Sequence, residues 1–200
     1  ILVIGGGSSE PIDDVRIVTN KSSGLMAKSL SETAFSIGAE VDLWLGNAVH
    51  TIGEWINTSR FNTLNDLKKM IDKMKKYDAI IVPAALSDFV PDYTKGKIDS
   101  TKAITLKMKK APKILGNLRK KHKGPLYSFK LGSNIKDDEL LKKAAKLLKN
   151  SDCVIANHSE AMGSENSKAA IVDKKNTNWI TGTKNNLSRT ILEKIDAELS

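Results

Sequence analysis

Thr19-Asn20-Lys21-Ser22-Ser23-Gly24 stands between two stretches of opposite character. Before it comes Ile1-Leu2-Val3-Ile4, then the glycine run Gly5-Gly6-Gly7 and the segment Glu10-Pro11-Ile12-Asp13. After it, residues 25 to 38 carry Met26, Leu30, Ala34 and Ile37 at helical spacing and close on Gly38. A short apolar run without alternation is the mark of a strand buried on both faces of a parallel sheet. A turn of small hydroxyl residues ending in Gly at a helix start leaves backbone N–H groups pointing outward. With the positive end of the helix dipole they make an anion site. Such a turn at the carboxyl end of a strand is where an open α/β sheet takes its ligand. The plainer alternative is that Ser22 and Ser23 only cap the helix.

The same rhythm continues along the chain. Val41 to Gly46 reads as a second, alternating strand, and Asp78 to Val82 as a third. Leu126 to Leu131 and Cys153 to Asn157 read as the fourth and fifth. Thr63-Leu64-Asn65-Asp66 resembles a capping box, and Pro112 suits the first turn of the next helix. Asp137 and Asp138 suit the start of another, where the dipole favours them. A terminal hairpin (Ala169 to Val172, Asn178 to Ile180) precedes a last helix capped by Thr183. The expected fold is a single α/β domain over residues 1–200, Rossmann-like and doubly wound, with a mostly parallel sheet. One excursion breaks the pattern. Thr94-Lys95-Gly96-Lys97 is polar and mobile in character, and Ala103 to Lys109 alternates with period two. That alternation predicts an antiparallel arm whose apolar face (Ile104, Leu106, Met108) is covered by a second subunit in a homodimer.

The formal charge of +9 invites a nucleic-acid reading. Against it, aromatics are only 5%, and only four of the 32 basic residues are Arg, the better fork for phosphate and bases. Lysines spread along helix faces suit a polyphosphate substrate or plain solvated surface. No apolar run approaches the roughly 20 residues that cross a bilayer, so no membrane partner is expected. The lone Cys153 lies in an apolar run, which suits a reduced core thiol and a cytoplasmic setting. Ile1 is already inside a strand, so the chain reads as a piece excised from a longer protein.

Catalytic nucleophiles are missing from the strand-end loops. No Ser-His-Asp set is evident, His50, His122 and His158 lack metal-ligand spacing, and the glycine run lacks the ending of a Walker loop. A nicotinamide oxidoreductase on the same fold would need G-x-G-x-x-G, but position 10 is Glu10. From the residues alone, the chain is an α/β domain with an anionic-ligand cleft.

The motifs together go further. Gly6-Gly7-Ser8-Ser9-Glu10-Pro11-Ile12-Asp13-Asp14-Val15-Arg16, followed by Thr19-Asn20-Lys21-Ser22-Ser23-Gly24-Leu25-Met26, closely resembles phosphopantothenoylcysteine synthetases. Their usual form is G-G-T-x-E-P-I-D-x-V-R-x-I-[ST]-N-x-S-S-G-x-M. The likeness continues in family order through Ala84-Ala85-Leu86-Ser87-Asp88-Phe89, Lys97-Ile98, Lys107-Met108-Lys109, Ser128-Phe129-Lys130-Leu131 and Val154-Ile155-Ala156-Asn157.

This resemblance implies a ligase. A nucleoside triphosphate activates the carboxylate of 4′-phosphopantothenate with release of pyrophosphate, and the amine of cysteine then displaces the nucleotide. Acyl-nucleotide chemistry needs no protein nucleophile, which agrees with the missing Ser or Cys. By the same likeness Asn20 and Lys97 are catalytic, Asn20 supporting attack on the acyl-nucleotide and Lys97 its formation. Nucleotide contacts fall on Gly7, Ser22, Ser23, Gly24, Ala84, Ala85, Asp88, Lys97, Pro112, Lys113, Ile114, Leu115, Phe129 and Lys149. Substrate contacts fall on Asn20, Arg16, Ala84 and Ala85. The family also implies Mg²⁺, with ligands unknown, and CTP as the nucleotide with ATP as the alternative. FMN is implied only for a fused decarboxylase partner. Two departures stand out: Ala145 where bacterial members carry a second lysine, for which Lys142 or Lys146 would substitute, and Lys110-Ala111-Pro112-Lys113-Ile114-Leu115 in place of K-N-P-D-I-[LV].

Overall fold

The computed structural model describes residues 1–101, 103–161 and 164–200. In chain order the strands are β1 (Leu2–Gly5), β2 (Ser9–Pro11), β3 (Ile17–Thr19), β4 (Asp42–Leu45), β5 (Asn57–Arg60), β6 (Ile80–Val82), β7 (Phe89–Pro91), β8 (Met108–Lys110), β9 (Leu126–Gly132), β10 (Cys153–His158), β11 (Asn166–Asp173) and β12 (Thr177–Thr183). The helices are α1 (Leu25–Ser36), α2 (Leu64–Asp72), α3 (Ile114–Lys121), α4 (Asp137–Ala145) and α5 (Lys184–Leu199). Eight strands form one sheet in the order β12-β11-β10-β9-β6-β1-β4-β5. From β10 to β5 the neighbours are parallel, while β10–β11 and β11–β12 are antiparallel. Two small antiparallel pairs, β2–β3 and β7–β8, stand apart from it.

The alternation of side chains in β1 divides the core. Val3 faces α1 and α5, meeting a layer built from Ala27, Leu30, Ala34, Leu187, Ile191 and Ile195. Leu2 and Ile4 face α2 and α3, whose Leu64, Leu67, Ile71, Ile114 and Leu118 close the other side. Under β10 and β11, α4 adds Leu140 and Ala144 against Val154, Ala156 and Ala170. Helices therefore cover both faces, the doubly wound arrangement expected from the unbroken apolar strands. Each buried Leu or Ile in these layers contributes about 1.5–3 kcal/mol.

Strand order reverses beside β1. The chain runs outward through β4 and β5, then returns to the other side of β1 with β6. The loops after β1 and β6 thus diverge and open a crevice at the carboxyl edge, the usual ligand position in such a sheet.

Several local expectations change. The second strand does not alternate: Leu43, Trp44 and Leu45 are all buried, because β4 lies between β1 and β5 with both faces covered. The antiparallel arm is shorter than residues 103–109. Only Met108–Lys110 pairs, with Phe89–Pro91, since β7 offers three residues to pair with. Pro112 lies outside its helix. Lys113 is the N-cap, and the N–H of Ala111 donates to the Asp88 carbonyl at 2.9 Å, so the proline falls in the extended link. Thr63 and Asp66 do form a capping box, and Thr183 caps α5.

Cys153 is buried and its thiol is pushed up to about 12 by that burial, so it is an inert core group. Burial likewise holds the His122 imidazole below its ordinary pKa, and its Nε2 meets the Pro125 carbonyl at 3.1 Å. No helix among the described residues is long and apolar enough to cross a membrane.

Candidate active site

At the reversal beside β1, three loops are knitted together through their main chains. The Gly7 N–H donates to the Asn47 carbonyl and the Asn47 N–H returns the bond, both at 2.8 Å. The Ala85 N–H donates to the Gly6 carbonyl, also at 2.8 Å. Gly6 sits at φ +73°, where a Cβ would lie 2.8 Å from the Gly46 carbonyl carbon. On the other side, the N–H groups of Val49 and His50 converge on the Ser23 carbonyl at 3.2 Å. Gly24, at φ 75°, is the N-cap of α1. Main-chain bonds do most of this, and the Thr19 hydroxyl adds a bond to the Ser8 carbonyl at 2.8 Å.

Asn20 anchors the turn as well. It is exposed, and its Nδ2 donates to the carbonyls of Ala85 at 3.2 Å and Leu86 at 3.1 Å. With both amide hydrogens engaged, what Asn20 can offer a ligand is its Oδ1, an acceptor. This narrows the two-way role expected of that amide.

Beside Asn20 a cavity of about 180 Å³ opens between the turn, the loop after β6 and the ends of β9 and β10. Lys21, Ser22, Ser23, Gly24, Leu25, Met26 and Ala27 line one side. Pro83, Ala84, Ala85, Phe129, Leu131, Asn157, Ser167 and Leu187 line the rest, with Gly6 at the base. A larger concavity of about 1260 Å³, lined by Ile1, Asp42, Tyr77 and Leu199 among others, lies at the opposite edge. The smaller one is the better site, because it stands at the strand reversal and at a helix N-terminus.

The helix N-termini differ in how they are closed. At α2, Thr63 and Asp66 cap each other, and the buried carboxylate of Glu10 accepts from the Leu64 N–H at 3.0 Å. The first turn of α4 carries Asp137, Asp138 and Glu139, and Thr183 caps α5. At α1 and α3 the N-cap residues make no side-chain cap hydrogen bond and neither first turn has an acidic residue, although at α1 the Ser23 Oγ accepts from the Leu25 N–H at 3.3 Å. These two termini keep their remaining N–H groups and the dipole available for an external anion. Glu10 also counts against the nicotinamide reading: where a dinucleotide fingerprint has glycine, this chain puts the cap of another helix.

The family model for the DNA/pantothenate metabolism flavoprotein C-terminal domain matches residues 1–199. The chain belongs to this family. It is 32% identical over 98% of its length to the coenzyme A biosynthesis bifunctional protein CoaBC of Methanocaldococcus jannaschii. To the CoaBC of Thermococcus kodakarensis it is 34% identical over 87% of its length. It spans about half the length of these curated relatives, 50% and 45% respectively. Among solved structures, the DNA/pantothenate metabolism flavoprotein from Streptococcus pneumoniae superposes with a TM-score of 0.88 at 30% identity, covering 98% of this chain and 97% of that one. The C-terminal domain of a CoaBC gives 0.79 at 25% identity, covering 99% and 94%.

The residues singled out by family resemblance fall into four groups. Ser22, Ser23, Gly24, Ala84, Ala85 and Phe129 share the cavity wall. Asn20 and Gly7 adjoin it through Ala85, by hydrogen bond and β-bridge respectively. Asp88 and the 112–115 segment meet at the open terminus of α3, outside the cavity lining. Arg16 and Lys97 form a third group. Arg16 gives its guanidinium to the Asp13 carboxylate and the Ile98 carbonyl, and Lys97 is exposed beside it in sequence. The loop around Lys97, expected to be mobile, is instead tied to residues 12–16. Lys149 ends a 3₁₀ turn that precedes β10, at the opposite edge of the sheet, so one subunit does not bring it to the cleft. Lys21, Asn157, Ser167 and Leu187 line the cavity without having been singled out as site residues. Lys21 lay inside the anion turn and Asn157 is a polar residue closing an apolar strand, so both carried a signal; Ser167 and Leu187 did not.

Proposed function

We propose that this chain joins 4′-phosphopantothenate to cysteine through an acyl-nucleotide, with CTP as the activating nucleotide and ATP as the alternative. The observation that carries this reading is Asn20, fixed by the Ala85 and Leu86 carbonyls beside the open N-terminus of α1. Family membership and relatives named for coenzyme A biosynthesis support it. In the first half-reaction a carboxylate oxygen attacks the α-phosphorus, the bond to pyrophosphate breaks and the acyl-nucleotide forms. A cation at Lys97 offsets charge on the departing pyrophosphate. In the second, the amine nitrogen of cysteine attacks the acyl carbon, the acyl–oxygen bond breaks, and the nucleoside monophosphate leaves as the nitrogen gives up a proton. An Oδ1 acceptor at Asn20 suits the N–H of that amine. Holding both reactants in line is worth more here than any nucleophile.

Mg²⁺ enters with the triphosphate as part of the substrate, which matches its habit of binding through phosphates. FMN is assigned to a companion domain of a longer cytoplasmic protein and not to this one. Ile104, Leu106 and Met108, 49%, 40% and 41% exposed, supply the face for a homodimer. The Ile104→Asp/Met108→Asp double variant is expected to sediment as a monomer; a wild-type chain that is monomeric at micromolar concentration with full turnover removes the dimer. The reading as a whole is tested by pyrophosphate release from phosphopantothenate with each of the four nucleoside triphosphates. Release with CTP or ATP, followed by cysteine-dependent product, is expected; no release with any of them rejects it.

A further inference from the structure

The β2–β3 hairpin reaches across to the loop that carries Lys97, and carboxylates make the joint. Asp13 is 2% exposed. Its Oδ1 accepts locally, from the N–H groups of Val15 at 2.8 Å and Arg16 at 2.7 Å. Its Oδ2 accepts at 3.0 Å from the N–H of Ile98, 85 residues away, and at 3.0 Å from Arg16 Nη1. Arg16 Nη2 in turn donates to the Ile98 carbonyl at 3.2 Å, so Ile98, next to Lys97, is gripped through both its N–H and its carbonyl. Asp14 does the same on the other side. Its N–H donates to the Gly96 carbonyl at 3.2 Å, its Oδ2 accepts from the Gly96 N–H at 3.0 Å, and its Oδ1 accepts from the Tyr93 hydroxyl. Between these two grips Lys97 is exposed.

We propose that Asp13 is a positioning residue for the ligation, setting through Ile98 where Lys97 stands when pyrophosphate departs. This rests on the ligase reading above. The division of labour within the carboxylate makes the idea separable from a folding role. Replacing Asp13 by Asn keeps an oxygen for Val15 and Arg16, and so keeps the turn. It puts an NH₂ where Ile98 and Arg16 both donate, so the long-range bond to Ile98 and the Arg16 ion pair are lost while the two main-chain bonds of the turn stay.

The experiment is a double-mutant cycle on pyrophosphate release, with Asp13→Asn, Lys97→Gln and the pair in the full chain. Asp13→Asn is expected to slow release roughly 10- to 100-fold, as a misplaced group does, with KM for phosphopantothenate nearly unchanged. In the Lys97→Gln background the same substitution is expected to add less than about twofold. Tryptic cleavage after Lys95 or Lys97 should rise in Asp13→Asn. Equal slowing in both backgrounds overturns the proposal, as does an unchanged rate with an unchanged cleavage pattern. Lys97→Gln with normal release overturns the assignment of Lys97 itself, and the proposal falls with it. Should Asp13→Asn fail to fold, Asp14→Asn, at an exposed position that grips Gly96, runs the same cycle and is expected to show the same non-additivity with a smaller effect.

Discussion

The turn at residues 19–24 and the loop at 93–98 serve one proposed reaction but are held in opposite ways. The turn is held mostly by main-chain hydrogen bonds among Gly6, Gly7, Ser23, Asn47, Val49, His50 and Ala85, with Thr19 and Asn20 adding side-chain bonds to carbonyls. The loop is gripped largely by the carboxylates of Asp13 and Asp14. A main-chain lock is indifferent to most side-chain changes and most vulnerable where glycine is required. A carboxylate lock opens with one isosteric substitution, or with acid.

Four measurements sharpen that contrast. The largest effect is expected from Asn20→Ala, which leaves the turn's main-chain lock intact while removing its working side chain. Single-turnover assays should show amide formation falling on the order of 10³-fold, with pyrophosphate release little changed. Equal loss of both half-reactions would make Asn20 a structural residue only. Lys97→Gln should slow pyrophosphate release by about 10²-fold. If cysteine-dependent product formation from preformed acyl-nucleotide slows as much, Lys97 does not act at the first step. Gly6→Ala strikes the lock itself. The left-handed conformation and the approach to Gly46 should cost at least ~2 kcal/mol, a melting temperature lower by roughly 4–8 °C; a melt indistinguishable from wild type would mean the turn is looser than described.

The smallest effect concerns acid. Burial works against the charge on Asp13, but the N–H groups of Ile98, Val15 and Arg16 and the guanidinium of Arg16 outweigh it, holding its pKa below the usual carboxylate value. A group depressed in the native state lends stability that is complete above its unfolded pKa, about 3.9, and is lost as pH falls through the native one. Hydrogen exchange below about pH 4 should therefore release the Ile98 amide before those of Gly7 and Ala85. Simultaneous release would abolish the contrast between the two locks.

The turn and the sheet were legible in the sequence for a common reason. A strand covered on both faces must be apolar throughout, as in Leu2, Val3 and Ile4 or Val154 and Ile155. Small residues after such strands, as at Gly5 to Gly7 or Ala84 and Ala85, mark where backbone must approach backbone. The β2–β3 hairpin left no such trace. Ser9, Glu10, Ile17 and Thr19 have no shared periodicity, and Ile17 is half exposed. The joint from Asp13 to Ile98 and the cap from Glu10 to Leu64 link distant parts of the chain by hydrogen bonds that need only a carboxylate and a free N–H, a pattern too common to read locally. The alternation of Ala103 to Lys109 promised a long ladder, but ladder length belongs to the partner strand, and β7 is short.

Glu10 has one more consequence. A doubly wound sheet gathers several helix starts along one rim, and each is a standing invitation to any phosphate in solution. At α2 the invitation is already taken: a carboxylate only 3% exposed, tethered to the same polypeptide, occupies the place. A diffusing anion would have to evict an occupant that never leaves the neighbourhood, so even millimolar phosphate competes poorly there. Selectivity on this rim would come partly from vacancies the protein declines to leave, and under the proposed reaction the phosphates are left with the starts of α1 and α3.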